Sequence, residues 1–353
     1  MNASKPNSIL IIGNQGYIGP VLARALRTSF PSSKIYGLDT GLFAASSSTA
    51  YSRLDSYVDV QLCCDIRTAD LSDLPEVDCI MYLAAISNDP MGNEFSIPTM
   101  EINCAGALRV AEFYRAKHRC VFIYASSCSV YGEGGENPRT ESDPVNPLSA
   151  YARSKVQAES FLSQLAGGGL SVICLRFATA CGVSPRLRLD LVLNDFVASS
   201  VLAKRIEILS DGTPWRPIIS VRDMADAFIW ASRYGLSGND GFLKVNVGFD
   251  GWNFRVSTLA QTVSRVLGEV EVCINSSAAP DRRSYQVDFS LYRRLSGKLE
   301  AMHSIENEIL DLANAVRKLS FNEKSFRDSH FIRLNVLREH RANGLISESL
   351  NWQ

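Results

Sequence analysis

The sequence predicts an α/β fold in which a doubly wound parallel sheet is followed by a smaller C-terminal α/β domain. Three observations point there. Ser8-Ile9-Leu10-Ile11-Ile12 is a continuous apolar run of strand length, broken by Gly13-Asn14-Gln15-Gly16-Tyr17-Ile18-Gly19, after which apolar residues recur at helical spacing. Strand-like and helix-like segments then alternate as far as Arg176, the rhythm of right-handed βαβ units. Past Arg176 the loops lengthen, with Arg186, Arg188, Arg205 and Arg216 set among Pro185, Pro214 and Pro217.

In chain order, the first run lacks polar alternation, as expected of a strand buried on both faces. Residues 34–38 form a second strand ending in Asp39, which lies 20 positions beyond Gly19. Residues 58–64 and 77–83 are the next two strands, the latter breaking at Ala84-Ala85, small residues that let backbone approach a ligand. Residues 103–117 and 151–165 read as amphipathic helices flanking a buried strand at 120–125, which runs into Ser126-Ser127-Cys128-Ser129-Val130-Tyr131-Gly132. Residues 1–180 are thus assigned to a dinucleotide-binding domain, with 219–248 returning to it, and residues 181–353 to a substrate domain. The amphipathic helices at 305–319 and 331–343 carry no readable chemical motif.

Composition sets the class of partner. In 353 residues the formal net charge is −1, which gives no reason to expect nucleic acid or an anionic membrane surface. The nine cysteines are dispersed through apolar runs and read as reduced core thiols, and none pairs at zinc-ligand spacing, so no metal is expected. The start, Met1-Asn2-Ala3-Ser4-Lys5-Pro6, has no signal-like apolar stretch, and a cytoplasmic protein is the expectation.

Strand, glycine turn and helix make a dinucleotide fingerprint. The first glycine allows the tight turn, the second leaves room for a pyrophosphate at the helix N-terminus, and the third allows helix and strand to pack. Asp39 stands where a carboxylate would grip the adenosine ribose; it would repel a 2′-phosphate, so NAD is favoured over NADP. Asp65-Ile66, at the end of the third strand, is placed to meet the adenine, although such a pair alone is more often an ordinary strand-end acid. Farther on, Ser149-Ala150-Tyr151-Ala152-Arg153-Ser154-Lys155 sets a phenol and an ammonium one helical turn apart. A cation beside a phenol favours phenolate, lowering the Tyr151 pKa from its usual value of about 10. Alone, that spacing equally describes a solvated helical pair worth about 0.2–0.5 kcal/mol.

Together these residues resemble the extended short-chain dehydrogenases/reductases, and within them the nucleotide-sugar epimerase/dehydratase group. The likeness rests on Gly13/Gly16/Gly19, Asp39, Asp65-Ile66, Leu83-Ala84-Ala85, Asn103 with Gly106, Ser126 to Gly132, Tyr151 with Lys155, and Arg176. It extends to Asp211-Gly212-Thr213-Pro214-Trp215-Arg216-Pro217 and Asn246-Val247-Gly248. The resemblance implies a Rossmann domain with the site in the cleft against the smaller domain, and a catalytic trio of Ser127, Tyr151 and Lys155. NAD would be held by Gly13, Gly16, Tyr17, Ile18, Asp39, Asp65, Ile66, Leu83, Ala84, Ala85 and Asn103, together with Tyr151 and Lys155. A nucleoside-diphosphate sugar would meet Ser87, Ser127, Arg188, Asn194, Arg216 and one arginine of Pro280-Asp281-Arg282-Arg283, taken as Arg282. The resemblance also implies a homodimer built on the helices that start at Asn103 and Tyr151. Cys128-Ser129 replaces the Asp-Glu pair of 4,6-dehydratases, which makes 4-epimerisation the first reading, a 4-dehydrogenase or ketoreductase the second, and a 4,6-dehydratase less favoured than either. A non-catalytic dinucleotide sensor, the remaining alternative, would be expected to lose the tyrosine or the lysine.

Overall fold

A computed structural model describes residues 5–44, 46, 57–135, 137–275, 277–278, 281–321 and 325–353. Met1, Asn2, Ala3, Ser4 and Pro280 lie outside them. The strands are β1 (Ser8–Ile12), β2 (Lys34–Asp39), β3 (Val60–Cys63), β4 (Cys79–Tyr82), β5 (Cys120–Ser127) and β6 (Leu170–Phe177). There follow β7 (Thr179–Cys181), β8 (Arg205–Ile208), β9 (Trp215–Ser220), β10 (Phe242–Val247), β11 (Asn253–Arg255) and β12 (Glu271–Ile274). Seven of them form one sheet in the order β10-β6-β5-β4-β1-β2-β3, with every neighbouring pair parallel.

The apolar run of β1 shows why the sheet is covered on both faces. Ile9 and Ile11 join one buried cluster with Leu22 and Leu26 of the helix Gly19–Ser29 and Phe228 of the helix Val221–Leu236. Leu10 and Ile12 join another with Val110 of the helix Gly106–Arg115 and Leu162 of the helix Ala150–Leu165. Each such side chain contributes about 1.5–3 kcal/mol on burial. The strand order reverses between β1 and β4, so the loops after them part and open a cleft at their carboxyl ends.

A third buried cluster lies beyond β6. Leu189, Leu193, Val197, Ile206, Leu259, Val263, Ile309 and Leu312 meet there, supported by the β12-β8 pair. β7, β9 and β11 make a third, small sheet at its edge. The chain end returns to the main sheet's rim, where Leu337, Ile346 and Leu350 pack on Leu42, Ile86, Met91, Phe95 and Ile102.

Segment ends shift from the sequence expectation. The stretch expected to be one helix from 103 begins instead as a π-helical turn, Glu101–Ala105, before Gly106–Arg115. The cysteines are all free, but Cys63 is exposed and Cys64 and Cys273 half-buried, so they are not uniformly core thiols. Among the described residues no helix is long and apolar enough to cross a membrane.

Candidate active site

A cavity of about 1140 Å³ runs along the cleft from Gly13, Asp39 and Asp65 to Tyr151, Arg216 and Tyr285. At its centre is the helix Ala150–Leu165. Ser149 starts that helix, its Oγ accepting from the Ala152 N–H at 3.1 Å while donating to Asp89. Tyr151 and Lys155 therefore sit one turn apart on the face toward the end of β5. The Ser127 hydroxyl is hydrogen-bonded to Tyr151, and its Oγ accepts from the Ser129 N–H at 3.1 Å. Lys155 Nζ donates to the Ala125 carbonyl at 2.7 Å and lies 4.6 Å from the Tyr124 ring centroid and 5.6 Å from that of Tyr151. Glu159 of the same helix is locked to Arg176 of β6 at 2.6 Å, fixing the helix against the sheet.

The electrostatics differ from the sequence expectation. Burial pushes Tyr151 up to about 12, against the lowering effect of its Ser127 hydrogen bond. Burial likewise pushes Lys155 down to about 7, so near neutral pH its positive charge is only partly present. The lysine does not by itself create a phenolate.

At the other end, Gly13 (φ +91°) lets the turn press against β4's exit: a Cβ there would meet Ala84 N at 2.5 Å. At Gly16 a Cβ would have only Gly13 O, at 3.3 Å, as a near neighbour, so its place is a cradle facing the cavity. Asp39 lines the same end, accepting from the N–H groups of Gln15 and Gly41, both at 2.9 Å. Burial raises its pKa and those bonds counteract the rise. Tyr17, Ile18, Ile66, Leu83, Ala84 and Ala85 also line the cavity. Asp65 does too, with its carboxylate forked onto Arg67 at 2.6 and 3.0 Å. Asn103 is elsewhere: fully buried behind the wall, it bonds both backbone groups of Ile86, at 2.9 and 3.0 Å, and Ser154 Oγ at 3.0 Å. The expected ligand residue is a clamp on the loop that carries Ala84 and Ser87.

The substrate-side expectations also meet the structure unevenly. Arg188 lines the cavity, donating to Ser87 Oγ at 2.8 Å and forking onto Asp190 at 2.9 and 3.0 Å. Arg216 lines it as well, paired with Asp281 at 2.9 Å. Asn194 does not reach it. Its fully buried amide joins Gly182 N, Arg188 O and Tyr17 Oη instead, at 3.1, 2.8 and 3.2 Å. Arg282 points away, exposed and paired with Glu133 at 3.1 Å, whereas Arg283 lines the cavity, held by Asp281 at 2.6 Å and Asp89 at 2.9 Å. The isolated pairing of Ser284 with Glu133 sets this register, a tertiary contact with no local sequence signal. Arg333, which sequence reasoning passed over, lines the cavity from the chain's last helix.

A glycine turn with a carboxylate beside it at one end of a cleft, and a Ser-Tyr-Lys group at the other, are the chemistry of a dinucleotide-dependent enzyme acting at a hydroxyl-bearing carbon. The model for the NAD dependent epimerase/dehydratase family matches residues 9–248, and the chain belongs to that family. It is 30% identical over 267 residues to the UDP-glucose 4-epimerase of Mycolicibacterium smegmatis, covering 73% of this chain and 79% of that one. Among solved structures it resembles an NAD dependent NDP-hexosamine 5,6-dehydratase, TunA, at TM-score 0.76 and 21% identity, over 90% of this chain and 100% of that one. It also resembles a UDP-glucose-4-epimerase from Stenotrophomonas maltophila with bound NAD and formylated UDP-arabinopyranose, at TM-score 0.75 and 22% identity, over 88% and 98%. NAD is the family's cofactor, and these residues fit it. The Gly16 cradle has room for a diphosphate, and each Asp39 oxygen, with one bond used, retains acceptor capacity for ribose hydroxyls.

Proposed function

We propose that the protein is a nucleotide-sugar 4-epimerase, with Ser127, Tyr151 and Lys155 as its catalytic residues. One observation carries the choice of reaction. Directly after Ser127, Cys128 is buried with its thiol donating to the Arg176 carbonyl at 3.0 Å and its pKa raised by burial, and Ser129 carries no ionisable group. Those two positions offer no acid and base to eliminate water across C5 and C6, so proton transfer falls to Tyr151.

Ser127 Oγ and Tyr151 Oη would bracket the sugar's C4 hydroxyl, with Tyr151 Oη taking its proton and later returning it. NAD, when bound, supplies the hydride acceptor and donor and a positive charge close to the phenol. Lys155 would hold the nicotinamide ribose. Arg216 and Arg283 would exchange part of their pairing with Asp281 for the substrate diphosphate, and Arg188 would stay near the sugar. With the diphosphate anchored, a 4-keto sugar can turn its other face before hydride returns. Residues 1–180 with 219–248 would carry the cofactor and 181–353 the substrate, and the outer faces of the helices Gly106–Arg115 and Ala150–Leu165 would form the homodimer. Light scattering at twice the chain mass is the expected result for the last point.

The test is turnover of purified protein on UDP-, GDP-, CDP- and dTDP-sugars without added cofactor, after mass spectrometry of ligands released from it. Interconversion of 4-epimers under those conditions is expected. A requirement for stoichiometric NAD or NADH would make the enzyme a dehydrogenase or ketoreductase and defeat the proposal.

A further inference from the structure

Residues beyond 248, outside the span matched to the family, contribute a charged group to the cofactor end of the cleft. Arg333 is the first residue of the helix Arg333–Ala342 and only 2% exposed. Its Nη2 donates to the Arg186 carbonyl at 3.0 Å, and its guanidinium lies 4.7 Å from the Phe43 ring centroid. Nη1 is buried without a hydrogen-bond partner, although the residue lines the cavity beside Asp39, Leu42 and Phe43. A charged donor left unmatched in this way costs more than the roughly 1–3 kcal/mol of a neutral one, unless a ligand completes it.

Among the described residues, Asp190 and Asp39 are the carboxylates that act on Arg333. Neither is hydrogen-bonded to it: Asp190 forks onto Arg188, and Asp39 accepts from Gln15 and Gly41. An anionic ligand would complete the unpartnered Nη1. Burial pushes the Arg333 pKa down to about 9, which still leaves it charged at neutral pH. It lines the same cavity as Asp39, at the glycine-turn end, and Arg188, both close enough to act on its charge. That end is the stretch of the cleft a dinucleotide's diphosphate must cross.

The support for Arg333 is fixed to the same rim. His340 bonds the Leu42 carbonyl at 3.0 Å, Trp352 Nε1 donates to the Thr40 carbonyl at 2.7 Å, and Arg338 pairs with Glu94 at 2.6 Å. We infer that Arg333 binds the diphosphate of the dinucleotide from the side opposite the glycine turn, so that the chain's C-terminal segment completes the cofactor site. This goes beyond the epimerase proposal and does not depend on which sugar reacts.

The test is calorimetric titration of cofactor-free protein with NAD, ADP and adenosine, in the wild type, Arg333→Met and Arg333→Lys. Arg333→Met should weaken NAD and ADP by about tenfold or more and leave adenosine within about twofold, the effect of a charge-assisted hydrogen bond of roughly 1.5–3 kcal/mol. Arg333→Lys should recover part of the loss. Equal losses for ADP and adenosine would show that Arg333 only shapes the adenosine pocket, and unchanged NAD and ADP affinities would also overturn the inference. So would tighter wild-type binding of NADP than of NAD with the Arg333→Met loss confined to NADP. Should the variants fail to fold, hydrogen exchange on the wild type decides: ADP, but not adenosine, should slow exchange in the helix Arg333–Ala342, and equal or no protection would contradict it.

Discussion

On the sheet side of the cleft, the polar groups of Asp39, Ser127 and Lys155 are held by backbone, while Asp65 is forked onto Arg67. Asp39 is held by the N–H groups of Gln15 and Gly41, Lys155 by the carbonyl of Ala125, and Ser127 by the N–H of Ser129. On the facing side, arginines are held by carboxylates: Arg188 by Asp190, Arg216 by Asp281, and Arg283 by Asp281 and Asp89. The first kind of support is stiff and local, and cannot be traded away. The second can, because an incoming diphosphate offers an arginine the same fork that a carboxylate does. The cleft therefore pairs a rigid chemical wall with one whose charges can change partners.

Substitutions can break that comparison. The largest effect should come from Tyr151→Phe, which keeps the ring and removes the proton-carrying Oη. Turnover should fall by about 10²–10⁴-fold with NAD still bound, and full turnover would contradict the role of the phenol. Gly13→Ala should come next. Its Cβ would lie 2.5 Å from Ala84 N in a φ of +91°, so strain of order 1–3 kcal/mol is added to the clash, and thermal melting should drop by several degrees with loss of retained NAD.

On the arginine wall, neighbours in sequence should separate. Arg283→Gln should raise the substrate KM by about tenfold or more, while Arg282→Gln, whose side chain pairs with Glu133 at the surface, should leave it within about twofold. Equal effects of the two would erase the distinction drawn from the cavity lining.

The smallest effect tests the body of the first region, on the helix Val221–Leu236 that packs against the sheet. Burial raises Asp223 to about 7, and its Oδ2 has no partner. The folded carboxyl thus holds a proton that the unfolded one, with a pKa near 3.9, has already lost. The associated stability is fully present below about pH 4 and is lost as pH rises through about 7. The melting temperature should fall between pH 5 and 8, and Asp223→Asn should flatten that fall. A parallel fall in the variant would place the titration elsewhere.

The same contrast explains what was legible beforehand. Gly13, Asp39, Ser127, Tyr151 and Lys155 are placed by the ends of single strands and one helix, so spacing along the chain reports their neighbourhood. Asn103 and Asn194 carry the expected residue types, but each spends its amide on backbone groups of another segment, which no local pattern announces. The choice between Arg282 and Arg283 depends on how Ser284 pairs with Glu133, 151 positions earlier in the chain. Arg333 sits in a helix whose periodicity told only that it packs. The tyrosine pKa departs from the sequence expectation for a further reason: a helical spacing gives the distance to a cation but not the burial that raises the phenol.

The most direct test of the proposed reaction is proton NMR of nucleotide-sugar turnover in D₂O with the NAD-loaded protein. An epimerase that uses Tyr151 Oη at C4, with no acid and base at Cys128 and Ser129, should convert the sugar to its 4-epimer with no deuterium at C4, C5 or C6. Deuterium at C5 or C6, or accumulation of a 4-keto 6-deoxy sugar, would contradict it.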